Sequence, residues 1–193
     1  MTIKAGVNFT KERRLIPELA EVIKEMKDGE KGTLDEALQE METTKMNYLK
    51  YDREILLNCL FKMFERMDLL SKFKIDKSNL LSFLLRISEH YNYAPFHNLT
   101  HIFNVTHMYY SIINTNRKDS YLANNCFDDI HKLSMLVACI GHDLDHPGVS
   151  NDFLMKESHQ LSVLSNKQSI LENYHYYLLV KILKQTNLLS NLS

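Results

Sequence analysis

The sequence predicts an all-α fold, and three observations carry that reading. Apolar residues recur with helical spacing almost throughout the chain. Five Gly and three Pro in 193 residues leave room for few tight turns. No run alternates apolar and polar with period two, and there is no internal repeat or low-complexity tract. At 45% hydrophobic and 24% charged residues, the composition is that of an ordinary globular domain, long enough to bury a real core.

The elements follow in order. Thr10 caps an expected helix to about Lys27, which Gly29 would stop. Thr33-Leu34-Asp35-Glu36 reads as a capping box opening a second helix. These first forty-five residues are charged and amphipathic, and are expected to be an appended helical pair. Residues 46–193 then form the main domain. From Tyr51 to Leu70 one face collects Ile55, Leu56, Cys59, Leu60, Met63, Phe64 and Met67. Asp76 to Glu89 does the same with Leu80, Leu81, Leu84 and Ile87. His97 to Ile113 is the next helix, entered through Pro95, and the polar stretch from Asn114 to Asp129 is a loop. Lys132 to Ile140 is a buried helix that delivers His142 and Asp143 at its end. Asn151 to Ser158 and Ser169 to Thr186 complete the set. The residues from Asn187 to Ser193 trail off without a clear stop, so the domain is expected to continue beyond them.

Charge and cysteine usage narrow the functional classes. A net charge of −1 offers no electrostatic footprint for nucleic acid or an anionic membrane. The longest apolar stretch, Leu133 to Ile140, is too short to span a bilayer. The first residues have no apolar signal-peptide core. Cys59, Cys126 and Cys139 are odd in number and form no C-x-x-C pair. They read as reduced thiols of a cytoplasmic protein, with Cys139 in the core. Membrane attachment of a longer parent and assembly into a homo-oligomer are left open.

The chemistry is concentrated in Gly141-His142-Asp143-Leu144-Asp145-His146-Pro147-Gly148, which packs two imidazoles and two carboxylates into five residues. About forty residues upstream lies Pro95-Phe96-His97-Asn98-Leu99-Thr100-His101, with two more histidines. On a helix His97 and His101 share one face. His142 and Asp143, being adjacent, converge only if their helix ends there, as Pro147-Gly148 suggests. His101, His142 and Asp143 are the candidate metal ligands. Imidazole with carboxylate suits zinc, and a carboxylate can also bridge to a harder ion such as magnesium. A pair of such ions suits in-line attack on phosphorus, so the cluster points to a metal-dependent phosphohydrolase.

Each residue also has a bland explanation. A lone His-Asp doublet is common, and so is a His pair four apart. His90, His107, His131 and His159 are read as surface or core histidines. Ser169-Ile170-Leu171-Glu172 fits a capping box that accounts for Glu172 without function, and His175 sits one turn further on. The combination, not any single residue, carries the argument.

These segments resemble the catalytic domain of class I cyclic nucleotide phosphodiesterases. The matching residues are Pro95-Phe96-His97-Asn98 with His101, then His142-Asp143-x-Asp145-His146-Pro147-Gly148-x-x-Asn151-x-Phe153-Leu154, then Ser169-Ile170-Leu171-Glu172-Asn173. The likeness is clear from about Tyr91 to Leu183 and extends upstream to about Tyr51. It implies an all-α HD-type domain that hydrolyses 3′,5′-cyclic nucleotides, cAMP or cGMP, to 5′-monophosphates. It also implies roles that spacing leaves open. His97 protonates the leaving 3′ oxygen. His101, His142 and Asp143 bind zinc, and Asp143 bridges to magnesium or manganese. His146 and Glu172 hold waters bound to the metals.

The chain departs from the family at Phe96, where Tyr is usual. It departs again at Ser165-Asn166-Lys167, and at Tyr174, which replaces the first His of a pair. The family's fourth zinc ligand, an Asp, and its purine-reading Gln and Phe belong to the second half of the domain, and this sequence stops before them. The expectation is therefore an incomplete domain, with residues 1–193 alone weakly active or inactive. Two other readings stand beside it: another HD-type phosphohydrolase, and a non-catalytic interaction fragment.

Overall fold

The computed structural model describes residues 32–91, 94–114 and 127–192, and every regular element among them is helical. The expected helix from Thr10 to Lys27, most of the expected loop between Asn114 and Asp129, and Cys126 lie outside the described residues. No helix among the described residues is long and apolar enough to cross a membrane.

Helix α1 (Leu34–Glu40) opens on the capping box its sequence announces. Glu36 N–H donates to Thr33 Oγ1 at 3.3 Å, and Thr33 N–H donates to Glu36 Oε2 at 3.0 Å. Its Ala37, with Met41 just beyond, is fully buried in the main core. The described part of the first forty-five residues thus contributes Ala37 and Met41 to that core. Glu42 ties this segment down, accepting from Tyr110 Oη at 2.9 Å, Asn114 Nδ2 at 3.1 Å and the Arg66 guanidinium.

The stretch expected as one helix from Tyr51 to Leu70 is two. Helix α2 (Arg53–Arg66) turns Leu56, Cys59, Leu60, Met63 and Phe64 inward. The chain then breaks at Asp68, whose φ of +58° is left-handed, before α3 (Leu69–Lys72). Helix α4 (Lys77–Glu89) follows Asp76 as expected. Helices α5 (Leu99–Asn114) and α6 (Asp129–Gly141) pack along each other, and α6 starts earlier than expected. There Asp128 caps it, its side chain accepting from His131 N–H at 2.9 Å. Cys139, expected in the core, is only partly buried.

Helix α7 (Asn151–Lys156) is capped by Ser150. Helix α8 (Gln160–Leu164), which the sequence reading missed, is capped by the imidazole of His159. The long helix α9 (Ile170–Thr186) packs against α4 and α6. It does have a stop: Asn187 is left-handed at φ +52°, and Leu188 folds back into the core. The backbone beyond is held by Asn79 Nδ2 donating to Asn187 O and by Asn191 Nδ2 donating to Lys74 O. The ends of α5, α6 and α9 meet around one cluster of histidines.

Candidate metal centre

Three helix termini build the site. Asn98 caps α5: its Oδ1 accepts from His101 N–H at 3.2 Å, and its Nδ2 donates to Pro95 O at 3.0 Å. That cap places His97 before the helix, not inside it. His97 and His101 therefore do not stack one turn apart on a helix face, as the spacing predicts. They approach across the cap with ring centroids 5.8 Å apart. Phe96, 65% exposed, lies beside both rings.

Helix α6 ends at Gly141, and residues 142–145 form a turn. This bend lets the adjacent His142 and Asp143 converge, as expected. Leu144, fully buried, pins the turn to the core, and Tyr91 Oη donates to Ile140 O at 2.9 Å just before it. Gly141 is closely packed, and a Cβ there would meet the Leu179 side chain at 2.6 Å and force it to shift.

Asp143 is the centre. Its Oδ2 lies 3.1 Å from His142 Nε2, 3.3 Å from His101 Nε2 and 4.0 Å from His97 Nε2. Burial would raise the Asp143 carboxyl, but the His142 hydrogen bond and the surrounding imidazoles hold it down at about 2. His142 is shifted up, chiefly by its bond to Asp143. His101 is shifted down, chiefly by burial.

The donor set fits a metal. Ligand atoms about 2.1 Å from a shared ion stand about 3.0 Å apart at right angles and about 3.4 Å apart at the tetrahedral angle. The two closest separations fall in that interval. His142 Nδ1 is 2.9 Å from Cys139 O, and a carbonyl can only accept, so that nitrogen carries the ring proton. Nε2 of neutral His142 then presents a lone pair to a carboxylate oxygen 3.1 Å away. Two facing lone pairs repel unless a cation, proton or metal, lies between them. His101, His142 and Asp143 form one group of mutually close ligand atoms, with two imidazoles and one carboxylate.

A second close group, His97, Asp143 and His146, has the wrong chemistry for a ligand set. The His97 and His146 rings are stacked, 3.7 Å between centroids and 16° between planes, so their in-plane lone pairs run side by side. Moreover His146 Nδ1 accepts from Gly148 N–H at 3.0 Å. Neutral His146 therefore carries its proton on Nε2, as a donor and not a ligand.

Glu172 is in neither close group, and its bland explanation fails. Ser169 is left-handed at φ +42° and makes no side-chain cap, so no capping box forms. The Glu172 carboxylate accepts instead from Asn151 Nδ2 at 3.1 Å, and Asn151 Oδ1 accepts from Leu171 N–H at 2.9 Å. Hydrogen bonds from its own backbone N–H and from Asn151 hold the Glu172 carboxyl below its ordinary range. The reading missed Asn151 in this role, and the missed signal was an amide facing a carboxylate across 21 residues of chain. Of the histidines set aside, His107 is buried, its Nε2 3.0 Å from Met41 O, while His131 is exposed beside Asp128.

The sequence profile of the 3′,5′-cyclic nucleotide phosphodiesterases matches residues 96–193. The chain belongs to that family. It is 32% identical over 168 residues to the mouse (Mus musculus) 3′,5′-cyclic-AMP phosphodiesterase 4C, covering 86% of this chain and 23% of that protein. It is 32% identical over 144 residues to the dual 3′,5′-cyclic-AMP and -GMP phosphodiesterase 11A of Takifugu rubripes, covering 74% of this chain and 15% of that one. Its fold superposes on the crystal structure of the phosphodiesterase domain of the RhoPDE fusion protein of the choanoflagellate Salpingoeca rosetta with a TM-score of 0.73 at 30% identity. That match covers 83% of this chain and 50% of the other. The chain thus spans half the length of that solved domain and under a third of these curated relatives.

Proposed function

We propose that this chain carries the metal-binding half of a 3′,5′-cyclic nucleotide phosphodiesterase site. The observation that supports it most is the meeting of His101, His142 and Asp143 around a position that calls for a cation. These three residues would hold zinc, and Asp143 would be shared with magnesium or manganese. Such ions polarise phosphoryl oxygens and lower the pKa of water.

The chain's own residues do the rest. Water adds to phosphorus and releases a proton to solvent, the bond from phosphorus to the 3′ oxygen breaks, the departing oxygen takes a proton from His97, and His97 regains one from solvent. His97 is suited to this because it stands outside the ligand trio yet within 4.0 Å of Asp143. His146, which as a neutral ring carries its proton on Nε2, would donate to water, and the Glu172 carboxylate would accept from it. Phe96 is an apolar wall beside His97 and His101.

Testing starts with zinc uptake by residues 1–193 and by the His142→Ala and Asp143→Asn variants. Turnover of cAMP, cGMP and a linear phosphate monoester follows, with zinc and magnesium present. One zinc per chain, lost in both variants, with slow hydrolysis confined to the cyclic substrates, is the expected result. Turnover is expected to be slow because three donors converge among the described residues where the family likeness implies four. Preference for the linear ester would replace the proposal with another HD-type phosphohydrolase. Absence of metal uptake would replace it with a non-catalytic fragment.

A further inference from the structure

Helix α9 touches the turn that follows α6 at two places and the last residue of α6 at a third. Tyr174 Oη donates to Asp145 Oδ2 at 2.5 Å, a short bond of the charge-assisted kind. The next residue, His175, is buried, and its Nδ1 lies 2.7 Å from Leu144 O, an acceptor only, so this nitrogen donates. One helical turn along, Leu179 fills the space above Gly141. The held residues lie between Asp143 and His146, and the turn is strained, since Asp145 has φ +54°. A left-handed conformation is costly for any residue with a Cβ, although Asp tolerates it better than most. Something must offset that cost, and the bond from Tyr174 is the contact that reaches Asp145 itself.

We propose that Tyr174 is a positioning residue: with His175 it clamps residues 144–145 and so fixes where Asp143 and His146 point. Tyr174 touches none of the proposed ligands and acts only through the turn. Its phenol is partly buried, and burial together with the Asp145 carboxylate shifts it up, so it stays a proton donor. The proposal rests on the metal-binding reading for its consequence, and on the hydrogen bonds alone for its cause.

The test uses residues 1–193 as wild type and as Tyr174→Phe, Asp145→Asn and the double variant. Tyr176→Phe serves as control, being an exposed phenol on the same helix. Amide exchange is followed first by NMR without metal. The amides of His146, bonded to Asp143 O at 3.1 Å, and Gly148, bonded to His146 Nδ1, report the turn. In Tyr174→Phe they are expected to exchange about tenfold faster while amides inside α5 keep their rates. Cobalt(II) affinity, read by visible absorption, is expected to fall about tenfold, at the lower end for groups that orient ligands. Asp145→Asn keeps an acceptor and should fall between wild type and Tyr174→Phe, and the double variant should match Tyr174→Phe. Tyr174→His, which retains a donor, should restore part of both readouts.

Unchanged exchange at His146 and Gly148 would overturn the proposal. So would exchange raised evenly across α5 and α9, which marks a general loss of stability. Faster exchange with unaltered cobalt affinity would overturn the claim that the clamp aims Asp143. A wild-type chain that takes up no cobalt contradicts the metal-binding reading, and the exchange data then decide the clamp by themselves.

Discussion

Replacing Asp143 with Asn removes the one negative charge facing three imidazoles while keeping the side chain's shape. The magnitude follows from its proton affinity. The carboxyl moves from an ordinary 3.8 to about 2 in the folded chain. At about 1.4 kcal/mol for each tenfold change, that is about 2 kcal/mol of stability. Asp143 is only 16% exposed, so solvent screening does not erase it. The sign is that of a depressed carboxyl: the contribution is present above about pH 4 and is lost as pH falls toward 2. The stabilising partner is protonated His142, so the contribution also shrinks as pH rises through the raised range of that imidazole. Urea unfolding of wild type and Asp143→Asn in chelator, at pH 5 and pH 8, measures this. The gap is expected to be about 2 kcal/mol at pH 5 and smaller at pH 8. Zinc at pH 8 should reopen it, because zinc takes the place of the lost proton. Equal stabilities at pH 5, or equal protection of both proteins by zinc, would refute the reasoning.

Other outcomes are open to direct measurement. In whichever form of the protein shows turnover, His97→Ala should lower it by about two to four orders of magnitude with zinc content unchanged; loss of zinc by elemental analysis would make His97 a ligand. Gly141→Ala forces a Cβ against Leu179 and should destabilise by about 1–3 kcal/mol in urea, with partial recovery in Gly141→Ala/Leu179→Ala. His107 is shifted down by burial, which outweighs the raising effect of its backbone partners Met41 and Thr43 and of Glu42. Stability should then fall as pH drops below about 6.5, and His107→Gln should flatten that part of the profile.

What the sequence disclosed depended on range along the chain. The convergence of His101, His142 and Asp143 was legible because two of them are adjacent and the third follows a cap signal, Asn98, three residues before it. The same cap moved His97 out of the helix, a shift that helical spacing could not announce because the boundary is set by one side-chain bond. The capping box at Thr33 formed and the one at Ser169 did not, although both sequences satisfy the pattern. Asn151 takes up Leu171 N–H and the Glu172 carboxylate from another helix, and the chain at Ser169 turns left-handed. The break at Asp68 was hidden because Leu69 and Leu70 continue the apolar spacing across it. The couplings of Tyr174 to Asp145 and of Asn151 to Glu172 span 29 and 21 residues, and no local pattern reports them.

A half-buried cluster of histidines around an aspartate can also be a purely structural network, and the ring protons bear on the choice. In a structural network each Nε2 facing Asp143 would carry a hydrogen, and the opposite nitrogen would accept. At His142 the reverse holds: Nδ1 is committed to the Cys139 carbonyl, which cannot donate, so Nε2 of the neutral ring meets Asp143 with no hydrogen between them. His146 makes the contrast within one turn, since its Nδ1 accepts from Gly148 and its Nε2 keeps the proton. In their neutral forms the two imidazoles thus carry their protons on opposite nitrogens, although only three residues separate them, and this contrast supports the proposed roles. A fold stabilised by the cluster alone would gain by satisfying both rings internally. At His142 the place between ring and carboxylate can be taken by a proton, as the upward shift of the ring by Asp143 reflects, or by a metal ion, and two imidazoles with a carboxylate are a donor set of the kind that binds divalent metals.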